Sequence, residues 1–260
     1  MSLSSGDFQV RLLNGFELSA QGRAVPMKSG PQRLVIFLAL CRRPLPRNYV
    51  AGALWPDVPS DRASANLRSS IWRLPPHGRP LIDLQAHLIS LAAGVSVDYA
   101  GAVALAHRLL GHAGISEADL SRRARSELSS ELLPACYDEW VLIERERFRQ
   151  LRVHALEAQC EQLTMRGRYG EAIDAGMAAV CVEPLRESPH RVLIRAHLAE
   201  GNTTEARRQF ELYRRVLRDE LGVEPSDGLR DLTVAAARRS RIPRGPRAAA
   251  GSGLAGRIAM

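Results

Sequence analysis

Alternating apolar and polar residues open the chain and predict a small antiparallel sheet. The segment "FQVRLLNGFELSAQGRAVPM" is interrupted by Asn14-Gly15 and by Gln21-Gly22. Both dipeptides are typical of tight turns between paired strands. The pattern therefore predicts three short strands at 8–13, 16–20 and 23–27.

Helical spacing replaces the alternation in the next segment. "SGPQRLVIFLALCRR" predicts a first helix with Ser29 as its cap and Pro31 in its first turn, ended by Pro44 and Pro46. A short second helix at 47–55 and a loop at 56–61 precede a third helix at 61–74, and 80–92 has the pattern of a hairpin. Three strands, three helices and a hairpin in this order predict a winged helix-turn-helix, with the first sheet as an addition.

Beyond residue 97 the pattern is helical throughout, so the predicted fold is mainly α with a small β component. "EADLSRRARSELSSELLP" predicts one helix, and the segment from Tyr137 to Gly167 predicts either one long helix or two. "GRYGEA" at 167 and "GNTTEA" at 201 lie 34 residues apart, which is the period of tetratricopeptide repeats. We therefore expect a DNA-binding domain at 1–97, a tetratricopeptide-like domain at 98–240 and a disordered tail at 241–260.

Positive charge is concentrated at the two ends of the chain. Residues 1–97 carry 11 basic and 5 acidic groups, residues 98–240 carry 21 and 23, and the last twenty residues carry 4 and none. All but one of the basic residues are arginine, which is also what a GC-rich genome would produce. The difference between the two domains is independent of that bias and indicates a polyanionic partner for the first.

The third predicted helix, "DRASANLRSSIWRL", has one apolar face and one face without acids. Ala63, Leu67, Ile71 and Leu74 recur at helical spacing. The remaining positions include Arg62, Asn66, Arg68, Ser69, Trp72 and Arg73. Arginine and asparagine read base edges in the major groove, and arginine and serine also bind phosphates. We interpret this face as the recognition surface for DNA. The alternative is an ordinary solvated helix face. Trp72 could either stack on the DNA backbone or shield the helix against the wing.

Two further segments are candidates for DNA contact. Arg47 and Asn48 begin the second helix, where a helix N-terminus attracts phosphate. Gln85 and His87 lie at the predicted tip of the hairpin, which could contact DNA or could be a plain turn.

Signals for catalysis and for cofactors are poor. The chain contains no phosphate-binding loop, no dinucleotide-binding glycine pattern and no zinc-protease motif, so we expect neither an enzyme nor a cofactor or metal site. The four cysteines form no metal or disulfide pattern. No secretion signal or membrane-length apolar run is present, and we expect a cytoplasmic, nucleoid-associated protein.

Long stretches of the chain resemble the Streptomyces antibiotic regulatory protein family of transcriptional activators. These are "VAGALWPDVPSDRASANLRSSIWRL" in the first domain, and "CYDEWVLIERERFRQLRVHALEAQCEQL", "EPLRESPHRVLIRAHLAEGN" and "YRRVLRDELGVEPS" in the second. The resemblance implies an OmpR-type winged helix followed by a bacterial transcriptional activation domain, in the small form without an NTPase module. "LPPHGRPLID" departs from the family, many of whose members have a longer basic run there.

The resemblance also implies a function. Such a protein would activate a secondary-metabolite gene cluster, for example for antibiotic biosynthesis, by binding direct repeats near the −35 element as a homodimer. It would recruit RNA polymerase holoenzyme, including its sigma factor, through the turn that contains Trp55, Asp57, Val58 and Ser60. The alternative from the residues alone is a protein-interaction adaptor that uses its helical repeats.

Overall fold

The computed structural model describes residues 8–74, 81–111 and 114–239. Within them the strands are β1 (Phe8–Arg11), β2 (Glu17–Ala20), β3 (Arg23–Ala24), β4 (Leu45–Pro46), β5 (Ile82–Leu84), β6 (Leu88–Leu91) and β7 (Ser96–Val97). The helices are α1 (Ser29–Cys41), α2 (Arg47–Leu54), α3 (Ser60–Trp72), α4 (Asp98–Leu110), α5 (Arg122–Ser129), α6 (Glu139–Met165), α7 (Tyr169–Val182), α8 (Glu187–Glu200), α9 (Thr203–Leu221) and α10 (Asp227–Arg239). The fold is mainly helical with two small sheets, as predicted; the tail at 241–260 lies outside the described residues.

The N-terminal sheet contains the three predicted antiparallel strands and one strand that the sequence pattern did not reveal. Its order is β3-β2-β1-β7, and β7 pairs in parallel with β1 through Val10 and Val97. Phe8, Val10 and Leu12 alternate with exposed Gln9 and Arg11, so one face of β1 enters the core. The strands are shorter than the predicted segments. After β1, the backbone N–H groups of Leu12 and Leu13 donate to the Asp98 carboxylate instead of continuing the pairing with β2.

Helices α1, α2 and α3 pack together beside a second sheet, in the arrangement of a winged helix. α1 is apolar on almost every side, and its residues 34–39 are all buried. It begins after Lys28, so Ser29 lies inside the helix rather than at its cap. The hairpin β5–β6 forms as predicted, and β4 adds to it in the order β4-β6-β5.

The C-terminal part consists of α4–α10. The segment at 139–165 forms one helix of 27 residues, which resolves the alternatives left by the sequence. α5 is shorter than its predicted segment, because Asp119 binds Arg108 and the Ser116 backbone and fixes a turn before it. The helical repeats are stacked: α6 packs on α7, α7 on α8, and α8 on α9.

The two matching segments of the 34-residue repeat lie at equivalent positions in the structure, each just after the end of a helix. Gly167 follows α6 with φ +71°, and Gly201 follows α8 with φ +89°, a left-handed conformation that favours glycine. Gly176 on α7 permits close packing on α8, because an added Cβ would lie 3.1 Å from the Leu193 side chain. Asn202 caps α9, with its side chain accepting a hydrogen bond from the Glu205 N–H.

The hydrophobic core of the winged helix continues into the helical region. Tyr99, Leu132, Val141 and Phe148 are buried in the same cluster as residues of β1, α1 and α3. A second cluster lies between α4, α5, α6, α7 and α8, and a third at the end of the stack around Phe210. None of the described helices has the length and apolar character needed to cross a membrane.

Candidate nucleic-acid interface

Helix α3 is held on the domain by its apolar face. Ala63, Leu67 and Ser70 are buried, and Leu74 is buried just beyond the end of the helix. The helix spans Ser60–Trp72, two residues shorter at its C-terminal end than the predicted segment. Because these contacts fix the rotation of the helix about its axis, the remaining residues face away from the core.

The predicted recognition residues lie on the free side of α3. Arg62, Arg68, Trp72 and Arg73 are exposed, whereas Asn66 and Ser69 are half-buried at the edges. The Trp72 side chain is 83% exposed, so little of it packs against the wing or any other described element. The described residues of the wing therefore do not cover Trp72, and a large aromatic surface lies in solvent.

The basic groups of this surface have no acidic partners among the described residues. Among the described residues from 8 to 97, the basic residues that form ion pairs are Arg11, with Glu17, and Arg33, with Asp138 of the helical region. Arg62, Arg68 and Arg73 take part in neither. Their charge is therefore available to an external anion.

Arginines in the helical region are arranged differently. Most of those described there pair with a nearby carboxylate, and several pairs follow i,i+3 or i,i+4 spacing along one helix. Glu224 binds both Arg214 and Arg218 at the end of α9. The positive and negative charges of this region are thus balanced not only in number but also in local pairs. Among the described residues, unpaired basic charge is concentrated between residues 8 and 97.

Arg47 and the tip of the hairpin form one connected cluster. The Arg47 backbone N–H donates to the carbonyl of His87 at 2.9 Å, and its guanidinium Nη2 donates to the carbonyl of Gln85 at 3.2 Å. Asn48 is exposed, and its Oδ1 accepts a hydrogen bond from the Tyr49 N–H at 2.9 Å. Arg47 therefore positions the wing against α2, a role that the sequence did not reveal, and only part of its guanidinium is left for phosphate.

Gln85 and His87 are exposed at the wing tip. The Gln85 side chain also donates to the Asp83 carboxylate at 3.3 Å, which orients it along the hairpin. The structure thus brings Arg47, Gln85 and His87 together at one end of α2. The sequence analysis had treated the start of α2 and the hairpin tip as two separate candidates.

The turn between α2 and α3 lies beside the start of α6. Asp57 and Ser60 are exposed, while Trp55 and Val58 are half-buried and pack against the core. The residues nearest to this turn on the helical side include Glu139, Trp140 and Ile143. The turn therefore borders a cleft between the winged helix and the helical region.

Polar and aromatic contacts join the two regions at this junction. The Arg33 guanidinium binds both carboxylate oxygens of Asp138, at 2.6 and 3.1 Å, and Phe37 meets Trp140 edge to face with ring centroids 5.1 Å apart. Asp98 accepts hydrogen bonds from the backbone N–H groups of Leu12 and Leu13. These residues are far apart in the sequence, and no local pattern indicated the contacts.

Tyr99 forms a further bond at the junction. Its hydroxyl donates to Glu144 at 2.6 Å, and burial together with this carboxylate raises the pKa of Tyr99 far above its usual value. The phenol therefore stays protonated and serves as a donor that fixes α4 against α6.

Comparison with known proteins assigns the helical region to a family. The model of the bacterial transcriptional activator domain matches residues 97–235, which is more than half of the chain. The chain belongs to this family. It is a regulator of the Streptomyces antibiotic regulatory protein type, in agreement with the resemblance seen in the sequence.

Two similar proteins match this chain over nearly its whole length. Regulatory protein AfsR of Streptomyces coelicolor is 28% identical over 246 residues, which cover 88% of this chain and 24% of AfsR. The chain thus spans about a quarter of the length of that relative. The structure of Mycobacterium tuberculosis EmbR in complex with a low-affinity phosphopeptide superposes with a TM-score of 0.68 at 22% identity, covering 91% of this chain and 66% of EmbR. The likeness to EmbR concerns the fold, including the winged-helix region.

Proposed function

We propose that the chain is a sequence-specific DNA-binding activator that places α3 in the major groove of direct repeats near the −35 element. The observation that carries the proposal is the set of exposed arginines on α3 that have no acidic partner within the described residues. Arg62 and Arg73 are suited to phosphates, Arg68 and Asn66 to base edges, and Ser69 to close approach. Arg47, Asn48, Gln85 and His87 would add contacts to the flanking backbone.

We further propose that two copies bind side by side on the DNA and recruit RNA polymerase holoenzyme. The turn with Trp55, Asp57, Val58 and Ser60 would contact the polymerase, since its acid and its hydroxyl are exposed at the surface. The control of a secondary-metabolite cluster is proposed from the family to which the chain belongs. In this account the winged helix at 1–97 binds DNA, and the helical domain at 98–240 supports the polymerase contact.

A salt titration separates this proposal from the adaptor hypothesis. Each phosphate neutralised contributes about −0.9 to the slope of log K against log salt. Arg62 and Arg73 from two copies would therefore give a slope of about −3 to −4, with additional contacts making it steeper. A slope near zero on candidate promoter DNA, measured with a folded protein, would contradict DNA binding and favour the adaptor.

A further inference from the structure

The strongest unexplained feature is the cleft between the α2–α3 turn and the first turns of α6. This junction cleft has a volume of about 540 Å³ and is bounded by Trp55 and Val58 on one side and by Trp140 and Ile143 on the other. Ligand sites for small molecules typically have this size and occur at boundaries between domains. The exposed arginines of α3 that we assign to DNA do not line this cleft.

The walls of the junction cleft are aromatic and apolar. Trp55 and Trp140 are both half-buried, so part of each indole stays accessible, and Ile143 on α6 is 50% exposed. Buried Phe37 contacts the ring of Trp140 edge to face. Preformed aromatic walls favour a flat aromatic molecule, which gains contact area without ordering flexible side chains.

The rim of the cleft carries unbalanced negative charge. Arg33 is neutralised by its bidentate contact with Asp138. Asp57 and Glu139 are both exposed, and neither forms an ion pair within the described part of the chain. Two exposed acids that line the same cleft as two tryptophans favour a cation over an anion, because the carboxylates attract positive charge and indole rings also bind cations.

We propose that the junction cleft binds a small planar aromatic cation. Such a ligand would contact the α2–α3 turn and α6 at once and would thereby fix the turn relative to the helical domain. This inference does not depend on DNA binding, and it can be tested on the free protein.

The test uses the full chain without DNA and with 9-aminoacridine as the probe. The chain contains three tryptophans, so in a Trp72→Phe background the fluorescence excited selectively from tryptophan, without the five tyrosines, reports only on Trp55 and Trp140. We expect saturable quenching by 9-aminoacridine and at least tenfold weaker binding of acridine-9-carboxylate, which has the same rings and the opposite charge. Calorimetric titration of the same two compounds gives an independent affinity.

Matched variants locate the site. Glu139→Gln should weaken 9-aminoacridine binding about threefold, because one rim charge is lost. Glu220→Gln makes the same change at an exposed position on α9 and should leave binding unchanged. Ile143→Arg should abolish binding by filling the cleft with a positive charge, and thermal unfolding checks that each variant is folded.

Three results would overturn the proposal. They are the absence of saturable binding, equal binding of the cation and the anion, and equal effects of Glu139→Gln and Glu220→Gln. If neither compound binds but Ile143→Arg abolishes polymerase-dependent activation with DNA binding intact, the cleft is a protein contact and the ligand proposal is wrong.

Discussion

The replacement of Arg68 by alanine separates DNA recognition from folding most cleanly. Arg68 is exposed on α3, and within the described residues its guanidinium has no ion pair or hydrogen bond to lose. A surface substitution of this kind changes the free energy of unfolding by about 0.5 kcal/mol or less. The loss of a base-edge contact costs about 1–3 kcal/mol of binding, which corresponds to about a 5- to 150-fold weaker complex.

The assay is fluorescence anisotropy with a labelled operator at one fixed salt concentration, accompanied by urea unfolding. Arg207→Ala is the matched control, because Arg207 is also exposed and unpaired among the residues described, but lies on α9. We expect Arg68→Ala to weaken binding and to reduce the preference for the cognate sequence, whereas Arg207→Ala leaves both unchanged. Equal affinities for the two variants would refute the assignment of α3 as the recognition helix.

Three further predictions test the interface, the junction and the core. Arg73→Ala should weaken binding to all DNA sequences alike and reduce the salt slope by about one, as a phosphate contact does; a changed sequence preference would contradict this role. Leu67→Ala should lower the free energy of unfolding by about 2–5 kcal/mol in urea titrations, because Leu67 is buried, and a loss below 0.5 kcal/mol would show that α3 is not anchored there. A double-mutant cycle of Arg33→Ala and Asp138→Ala should give a coupling energy of about 1–2 kcal/mol for the half-buried bidentate pair, and additive effects would contradict a junction joined by this pair.

The pH dependence of stability reports on His190, which is buried and stacked on Tyr213. Its Nε2 lies 2.9 Å from the Pro184 carbonyl and its Nδ1 lies 2.8 Å from Gln209 Nε2, so the neutral ring satisfies both contacts. Burial lowers the pKa of His190 below its usual 6.5. The unfolded chain therefore binds the proton first, and stability should be full above pH 6.5 and fall as the pH decreases toward the folded pKa. Urea unfolding between pH 7.5 and 5 should show this loss, and an unchanged pH profile in His190→Gln would assign it to another group.

Local patterns were sufficient to predict the elements that the chain forms from adjacent residues. The apolar spacing at Leu67 and Ile71 placed α3 and its free face, and Asn14-Gly15 placed the first turn. The 34-residue spacing predicted the repeats, because the equivalent helix ends in the two copies are both glycines with positive φ.

Contacts between distant residues were not predictable in this way. β7 has two residues and pairs with β1 across more than eighty positions, so its pattern is too short to be recognised. Arg33 and Asp138 are 105 residues apart, and either could have been a solvated surface charge. The role of Arg47 in holding the wing depends on the carbonyl groups of Gln85 and His87, which a pattern of side chains does not contain.

The central claim is tested most directly by DNase footprinting on the promoters beside the gene that encodes this chain, with and without RNA polymerase holoenzyme. The account predicts protection of direct repeats next to the −35 element, strengthened when the polymerase is present and requiring a higher protein concentration in Arg68→Ala. The absence of protection at low salt, with a protein shown to be folded, would contradict it.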